Sequence, residues 1–384
     1  MTPFKEIFRK ESLLYIGEKL EKAGAPGAII AVKKAIPQLP SLELKQRSDL
    51  VTQILKEILP PNPIEAFKII EQTIVKGENP KPLGNSAEDT FSLHPRGLNG
   101  FLLLPFGEYV AQVGQGHFEE SMKMLKTITK QFSSEGPIRH FIVSQPEKTY
   151  AEILSWTNDP SEHVRRLCSE GTRPRLPWAL RLQNAVKDPT PGIKILEKLK
   201  YDSSLYVRKS VANHLNDIAK DHSEMVTTIL EKWIQQSPSS ELSKIKWITQ
   251  HALRTLIKKG YPLALNLIGI KQNDLIEISQ LKLNPLKLKL GDTLSIQFQI
   301  ENKDKKTHSV LIDIVTNLLK ANGSYSEKVF KGLKTNLKPN EQRKCDLKLP
   351  LKKVTTREYY SGKQGISLIV NGNKTKALFF ELKT

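Results

Sequence analysis

Two segments of the chain decide its fold: DPSEHVRRLCSEG at residues 159–171 and DSSLYVRKSVANH at residues 202–214. They lie 43 residues apart, and this offset aligns Asp159 with Asp202, Ser161 with Ser204, Val164 with Val207 and Arg165 with Arg208. A period of roughly 40–47 residues is typical of HEAT and armadillo arrays, whose repeats are pairs or trios of helices. The repeat therefore predicts a HEAT-like α-solenoid with a concave face.

Helical spacing extends outward from the repeat over residues 1–270. Apolar residues recur at i, i+3, i+4 and i+7 in SLLYIGEKL (12–20), SDLVTQILKEIL (48–59), ESMKMLKTITKQF (120–132) and SEMVTTILEKWI (223–234). Breaks rich in proline, glycine or asparagine separate such stretches, at 59–63, 76–85 and 187–192. This pattern predicts a first domain of helical hairpins stacked side by side.

After about residue 273 the apolar period changes to two. LSIQFQI (294–300) and CDLKLPL (345–351) alternate apolar and polar residues, and GISLIVNGNKTKALFFEL (365–382) has the pattern of two strands around an Asn-Gly turn. Several short strands in this region predict an immunoglobulin-like β-sandwich over residues 274–384. The expected fold is thus multidomain, an all-α solenoid followed by a small all-β sandwich.

The charge of the chain is strongly positive. Lys and Arg number 59 against 40 Asp and Glu, a net charge of +19, which favours binding to nucleic acid or to an anionic membrane surface. Residues 271–384 alone hold 22 Lys and Arg against 11 Asp and Glu. This domain is therefore either a lysine-rich solvated surface or a second module that grips a polyanion.

No segment has the pattern of a membrane span or a secretion signal. The longest apolar run, GFLLLPFG at 100–107, is broken by Pro105 and Gly107. The N-terminus predicts an amphipathic helix rather than a signal peptide. The two cysteines, Cys168 and Cys345, form no CxxC or Cys/His cluster, which fits a reducing compartment. We expect a cytoplasmic protein without a metal site.

Within the first repeat, HVRRLCSEGTRPRLPW (163–178) combines four arginines with one acid, Glu170. Arg166 and Glu170 lie four residues apart on one predicted helix face, and an isolated pair of this kind is worth well under ~1 kcal/mol at a surface. The second repeat changes this interpretation, because Asn213 aligns with Glu170 and Asp217 follows one turn later. Glu135 lies 35 residues upstream of Glu170, so three acids are predicted to line one groove.

An acidic spot among arginines weakens simple phosphate binding but stabilises a developing cation. A carboxylate about 4 Å from a positive charge contributes roughly 4 kcal/mol at an effective dielectric constant near 20. If this interaction acts only in the transition state, it accelerates the reaction by a factor on the order of 10³. Cleavage of the N-glycosidic bond of an alkylated nucleotide gives the sugar oxocarbenium character, and an acid can also orient the attacking water.

The sequences HVRRLCSEGTRPRLPWALRL (163–182) and VRKSVANHLNDIAKDH (207–222) closely resemble the AlkC branch of the bacterial HEAT-like-repeat DNA glycosylases. SSEGPIRHF (133–141) and PFKEIFRKESL (3–13) match it more weakly. The resemblance implies base excision repair of duplex DNA by removal of cationic alkylated bases, chiefly 3-methyladenine, with 3-methylcytosine and 1-methyladenine as further substrates. No lysine is placed as a Schiff-base nucleophile, so we expect a monofunctional enzyme. The resemblance also implies that the base is not flipped into a deep pocket, and it implies no metal, organic cofactor or obligate protein partner.

The site residues follow from the repeat and the resemblance together. The predicted catalytic acids are Glu135, Glu170 and Asp217, and the predicted contacts to the lesion or its sugar are Trp178 and Asn213. The predicted DNA-binding residues are Arg165, Arg166, Arg173, Arg175, Arg208 and Lys209. The basic β-domain is expected to clamp the DNA beside the lesion. Two alternatives stay open at this point: a non-catalytic duplex-binding or lesion-sensing protein, and a helical scaffold for an acidic protein partner.

Overall fold

A computed structural model describes residues 2–77, 93–272, 275–354 and 357–384. These residues form two compact units, Met1–Asp221 and His222–Thr384. The helical region followed by a C-terminal β-domain confirms the predicted fold class, whereas the HEAT-like assignment and the domain limits at residues 270 and 274 stay predictions. Part of the predicted break at 76–85 lies outside the described residues.

The regular elements in the described part of the first unit are helices, and one isolated β-bridge joins Ile74 to Leu98. Its α-helices are α1 (Lys10–Lys22), α2 (Ala28–Ala35), α3 (Leu44–Ile58), α4 (Pro63–Thr73), α5 (Leu104–Val113), α6 (Phe118–Thr129), α7 (Ile138–Ser144), α8 (Pro146–Ser155), α9 (Glu162–Glu170), α10 (Gln183–Lys187), α11 (Thr190–Leu199) and α12 (Leu205–Ile218). Four short 3₁₀ segments lie at Phe4–Phe8, Ile36–Ser41, Gly100–Leu103 and Trp156–Asn158.

The two aligned segments have the same local structure. Asp159 accepts a hydrogen bond from the backbone N–H of Ser161 at 2.9 Å, and Asp202 accepts one from that of Ser204 at 2.8 Å. Each aspartate therefore fixes the turn that begins the next helix. The helices α9 and α12 pack against each other and bury Val164, Leu167, Val207, Val211 and Leu215.

The second unit begins with four helices and continues as a β-sandwich. Its helices are α13 (Ser223–Gln236), α14 (Leu242–Ala252), α15 (Arg254–Lys258) and α16 (Pro262–Leu267). Its strands are β1 (Ile276–Asn284), β2 (Lys287–Lys289), β3 (Thr293–Asn302), β4 (His308–Leu319), β5 (Tyr325–Leu337), β6 (Gln342–Pro350), β7 (Gly362–Val370), β8 (Asn373–Lys374) and β9 (Leu378–Lys383).

The strands form two sheets, in the orders β1-β3-β6 and β2-β9-β7-β4-β5, with β8 paired to β7. The strand pairs are antiparallel except for β2 with β9. One apolar core joins both sheets, with Ile296 and Phe298 from one sheet and Ile314 and Leu368 from the other. The predicted Asn-Gly turn is confirmed at Asn371 and Gly372, whose φ angles are 47° and 93°.

Within the described ranges, no helix is long and apolar enough to cross a membrane.

Candidate active site

Glu170 lies at the last residue of α9, with only 7% of its side chain exposed. One carboxylate oxygen accepts a hydrogen bond from Arg173 Nη1 at 2.5 Å and lies 3.5 Å from Arg166 Nη2. The other oxygen accepts from the Ser210 hydroxyl at 2.6 Å. A buried carboxylate is thus held in one orientation by two arginines and one hydroxyl group.

Asp217 lies in the last turn of α12 and faces the same cluster. Its side chain is 3% exposed, and its Oδ2 atom accepts from Arg173 Nε at 2.8 Å and lies 2.7 Å from Arg173 Nη2. Lys220 Nζ donates to the other carboxylate oxygen at 2.9 Å. The single guanidinium group of Arg173 therefore joins Glu170 to Asp217 across the two aligned repeats.

Glu135 joins the cluster from the loop that precedes α7. Its side chain, 29% exposed, accepts a hydrogen bond from the Ser133 hydroxyl at 2.7 Å and pairs with Arg166. Because Arg166 also reaches Glu170, the three predicted catalytic acids are linked through Arg166 and Arg173 into one network. The structure brings these three acids together, and Glu135 is the most accessible of them.

The arginines decide the charge of the buried acid. Burial alone would raise the pKa of Glu170, but Arg166, Arg173 and the Ser210 hydroxyl hold that pKa below its usual value. Glu170 is therefore ionised at neutral pH in spite of its burial. Glu170 and Asp217 also lie at helix C-termini, where the macrodipole disfavours negative charge. Their ionised forms therefore depend on the neighbouring cations.

Trp178 lies in the segment of residues 171–182 that connects α9 to α10. Its side chain is 90% exposed and its φ angle is 62°, a backbone conformation that bulky residues rarely adopt. An exposed indole ring can stack on a nucleobase or pack against a sugar. The predicted contact of Trp178 with the lesion stays a prediction.

The remaining predicted contacts differ in accessibility. Lys209 is exposed and Asn213 is half-buried on α12. Arg165 donates two hydrogen bonds to Asp202, at 2.6 and 3.0 Å. Arg175 pairs with Asp221. Arg208 donates to the backbone carbonyls of Asp202 and Ser203.

The predicted DNA-binding arginines are therefore engaged within the protein before any DNA arrives. Arg166 and Arg173 bind the three acids, and Arg165 binds Asp202, the aspartate that starts the second repeat. Their assignment to phosphate contacts stays a prediction. Arg166 and Arg173 therefore orient the carboxylate of Glu170 and keep it ionised.

Two residues that support this site, Ser210 and Arg139, are not among those predicted from the sequence. Ser210 aligns with the core residue Leu167 of the first repeat, and a polar residue at a core position is the signal that could have singled it out. Arg139 lies in the quoted segment at 133–141 and is fully buried. Its guanidinium group donates to the backbone carbonyls of Leu180, Gly171 and Arg173 at 2.5, 2.9 and 2.7 Å.

Comparisons with known proteins agree with this architecture. A family model described as "Uncharacterised protein YhaZ, C-terminal Ig-like domain" matches residues 277–384. YhaZ of Bacillus subtilis (strain 168) is 38% identical over 344 residues, which cover 89% of this chain and 88% of that protein. The solved structure of Pseudomonas fluorescens alkylpurine DNA glycosylase AlkC, bound to DNA containing an abasic site analog, is 34% identical. It matches with a TM-score of 0.86 over 100% of both chains.

The match to this enzyme over the whole chain shows that the protein is a DNA glycosylase, with an immunoglobulin-like domain at residues 277–384. Within this class the chain belongs to the AlkC family, which it matches over its whole length.

Proposed function

We propose that this chain hydrolyses the N-glycosidic bond of cationic alkylated bases in duplex DNA. The expected substrates are 3-methyladenine, 3-methylcytosine and 1-methyladenine, and the expected product is an abasic site. The observation that carries the proposal is the linkage of Glu135, Glu170 and Asp217 through Arg166 and Arg173. The likeness to a glycosylase solved on DNA with an abasic site analog supports it independently.

The carboxylates of the network suit this chemistry. Three carboxylates share the guanidinium groups of Arg166 and Arg173, and Lys220, 40% exposed, pairs with Asp217 as a third cation. An ionised carboxylate of this network attracts a cationic base and the oxocarbenium-like sugar that forms as the base leaves. At about 4 Å this attraction is worth roughly 4 kcal/mol at an effective dielectric constant near 20.

The acids are also oriented before the substrate binds. Glu170 and Asp217 each accept hydrogen bonds on both oxygens, so little reorganisation remains for the moment of reaction. A carboxylate offers about four acceptor positions, so these acids retain capacity for a substrate contact. Glu135, the most exposed of the three, is placed best to hold the attacking water.

The exposure of Trp178 also fits excision without deep base flipping. The aromatic residue assigned to the lesion, Trp178, stands 90% exposed in solvent and can approach the lesion from outside the duplex. We therefore propose that the lesion's deoxyribose is brought to the acids while the base stays near the stack.

The β-domain is proposed to hold the DNA beside the lesion. Its edge strand β5 carries three exposed lysines, Lys328, Lys331 and Lys334. Replacing all three with glutamate should weaken duplex binding and lower the salt dependence of that binding by up to about one unit of slope per lost phosphate contact. Unchanged binding would remove this edge strand from the interface.

The function is tested by incubating the protein with methylated duplex DNA and identifying the released bases by mass. We expect release of methylated bases by the wild type and its loss in Glu170→Gln. The matched control is Glu162→Gln on the first turn of the same helix, which should release bases as the wild type does. Wild-type protein that binds the duplex but releases no base would contradict the proposal and favour a lesion sensor.

A further inference from the structure

The segment of residues 171–182, which carries Trp178, is held in a strained pose whose support must lie elsewhere. Trp178 has a φ angle of 62° and is 90% exposed, so its own side chain contributes little packing to offset the strain. Such a backbone conformation persists only where the surrounding structure determines it, and it is concentrated at functional sites. The question is which residue supplies the support.

Arg139 makes the contacts that this segment needs. Its guanidinium group is fully buried and donates to the carbonyls of Gly171 at 2.9 Å and Arg173 at 2.7 Å, at the start of the segment. It also donates to the carbonyl of Leu180 at 2.5 Å, two residues after Trp178. One side chain thus joins the two sides of the loop from which the indole ring projects.

The side chains of Arg173 and Arg175 anchor the first half of the loop to Asp217 and Asp221, but the backbone hydrogen bonds that reach its second half are longer and local. The backbone N–H of Leu182 donates to the Pro174 carbonyl at 3.2 Å, and that of Ala179 donates to the Leu176 carbonyl at 3.4 Å. A planar guanidinium group can bind several carbonyls at once in a fixed geometry, which an ammonium group cannot reproduce. Lysine at residue 139 would therefore keep the charge and lose the clamp.

We propose that Arg139 is a positioning residue that holds the 171–182 loop closed, so that Trp178 is presented to damaged DNA in one preorganised pose. The proposal rests on the glycosylase function proposed above. Arg139 itself is fully buried, so it acts on the reaction through Trp178. A misplaced positioning group can reduce a rate by up to about 100-fold even when the reacting groups are intact.

The test is a double-mutant cycle with Arg139→Lys and Trp178→Ala, read by single-turnover release of methylated bases. We expect Arg139→Lys to lower the release rate by about 10- to 100-fold. In the Trp178→Ala background, the same change should cost less than about threefold, because the residue through which it acts is already gone. Equal losses in both backgrounds would overturn the proposal.

A second measurement does not depend on activity. Trypsin should cleave after Arg175 and Arg181 faster in Arg139→Lys than in the wild type, because both bonds lie in the released loop. The matched control is Arg47→Lys, which alters another buried arginine that donates to backbone carbonyls, those of Leu42, Lys5 and Phe8. It should leave both the release rate and the cleavage of the loop within about twofold of the wild type.

The outcomes separate this proposal from the function on which it rests. If the wild type releases no base, the glycosylase function fails, and cleavage of the loop alone decides whether Arg139 holds it. If Arg139→Lys does not fold, amide hydrogen exchange of residues 171–182 in the wild type decides instead. Exchange as fast as that of an open peptide would then overturn the proposal.

Discussion

The first repeat, built on α9, and the second, built on α12, share their scaffold contacts and differ in their site contacts. Arg165 donates to the Asp159 carbonyl at 2.9 Å, and Arg208 donates to the Asp202 carbonyl at 2.6 Å. At the other end of the helices the aligned residues diverge, with Glu170 opposite Asn213.

The start and the end of each helix have different roles. Residues at the start of each helix fix the turn and the packing, and these are the residues that repeat. Residues near the end of each helix differ, and Glu170 and Asp217 among them belong to the acidic network. Asp217 lies one turn beyond Asn213 and reaches back to the first repeat through Arg173.

The largest effect on base release should come from substituting the acids at the helix ends. Glu170→Gln and Asp217→Asn each remove a negative charge while keeping the shape of the side chain. We expect each variant to lose on the order of 10³-fold in single-turnover base release. Their affinity for undamaged duplex DNA should stay unchanged, which gel-shift titration at fixed salt can check.

Asn213 provides the matched comparison, because it aligns with Glu170 and carries no charge. Asn213→Ala should cost only about fivefold in base release, the value of one neutral hydrogen bond. A loss as large as that of Glu170→Gln would break the comparison, since it would give both repeats the same role in the site.

The next effect in size concerns the scaffold residues at the helix starts. Arg165→Met should lower the free energy of unfolding by about 3 kcal/mol, because it leaves the buried Asp202 carboxylate without its two hydrogen bonds from Arg165. Arg208→Met should cost about 1 kcal/mol, because the contacts described for Arg208 are to backbone carbonyls. Urea unfolding at pH 7 measures both, and equal losses would mean that the bond to Asp202 adds nothing.

The sequence predicted the shared scaffold well, because its signals are local. Each repeat has an aspartate six residues before an arginine, with apolar residues at helical spacing, and this pattern recurs after 43 residues. It can be recognised without knowing which distant residues are in contact. The strands were predicted for the same reason, since LSIQFQI (294–300) lies within β3. The Asn371-Gly372 turn depends on two adjacent residues alone.

The site was predicted in part. The repeat offset indicated that Glu170 and Asp217 share a groove, and the structure places them on one guanidinium group. The partners of the arginines could not be predicted in this way. Arg175 pairs with Asp221 and Arg165 with Asp202 across many intervening residues, and only the packing of the helices selects these carboxylates.

The third prediction concerns pH and the residue that follows Asn213. His214 is buried, with its Nδ1 atom 3.0 Å from the Ser169 carbonyl oxygen, whereas the aligned residue of the first repeat is Gly171. Burial, with a further contribution from Arg173, lowers the pKa of His214 to about 3. The folded protein therefore keeps this imidazole neutral where the unfolded chain, with an ordinary pKa near ~6.5, binds a proton.

The sign follows from this difference in proton binding. The stabilisation is complete above about pH 6.5 and declines as the pH falls toward the folded-state pKa, by up to about 1.4 kcal/mol per pH unit. We expect His214→Gln to flatten the dependence of unfolding free energy on pH between about 6.5 and 4. Urea unfolding across this range checks it, and parallel curves for the two proteins would exclude His214 as the source.

The smallest stability effect is expected between two variants of Trp178, in the segment where the two repeats diverge. Helix α9 ends at Glu170, whereas α12 continues to Ile218, past the aligned Asn213. The chain after Glu170 is thus a loop where the aligned chain after Asn213 is still helical. In this loop Trp178 has a φ angle of 62°. Glycine adopts this conformation without strain, whereas alanine does not.

Trp178→Gly should therefore be more stable to urea than Trp178→Ala by about 1 kcal/mol. Both variants remove the 90% exposed indole ring, so they lose the same proposed contact with damaged DNA and should release methylated bases equally slowly. If the two variants differ in stability but match in activity, the backbone strain affects stability and the loss of the indole ring affects base release. If Trp178→Gly instead releases bases as the wild type does, the loop's backbone rather than its indole ring matters to the reaction.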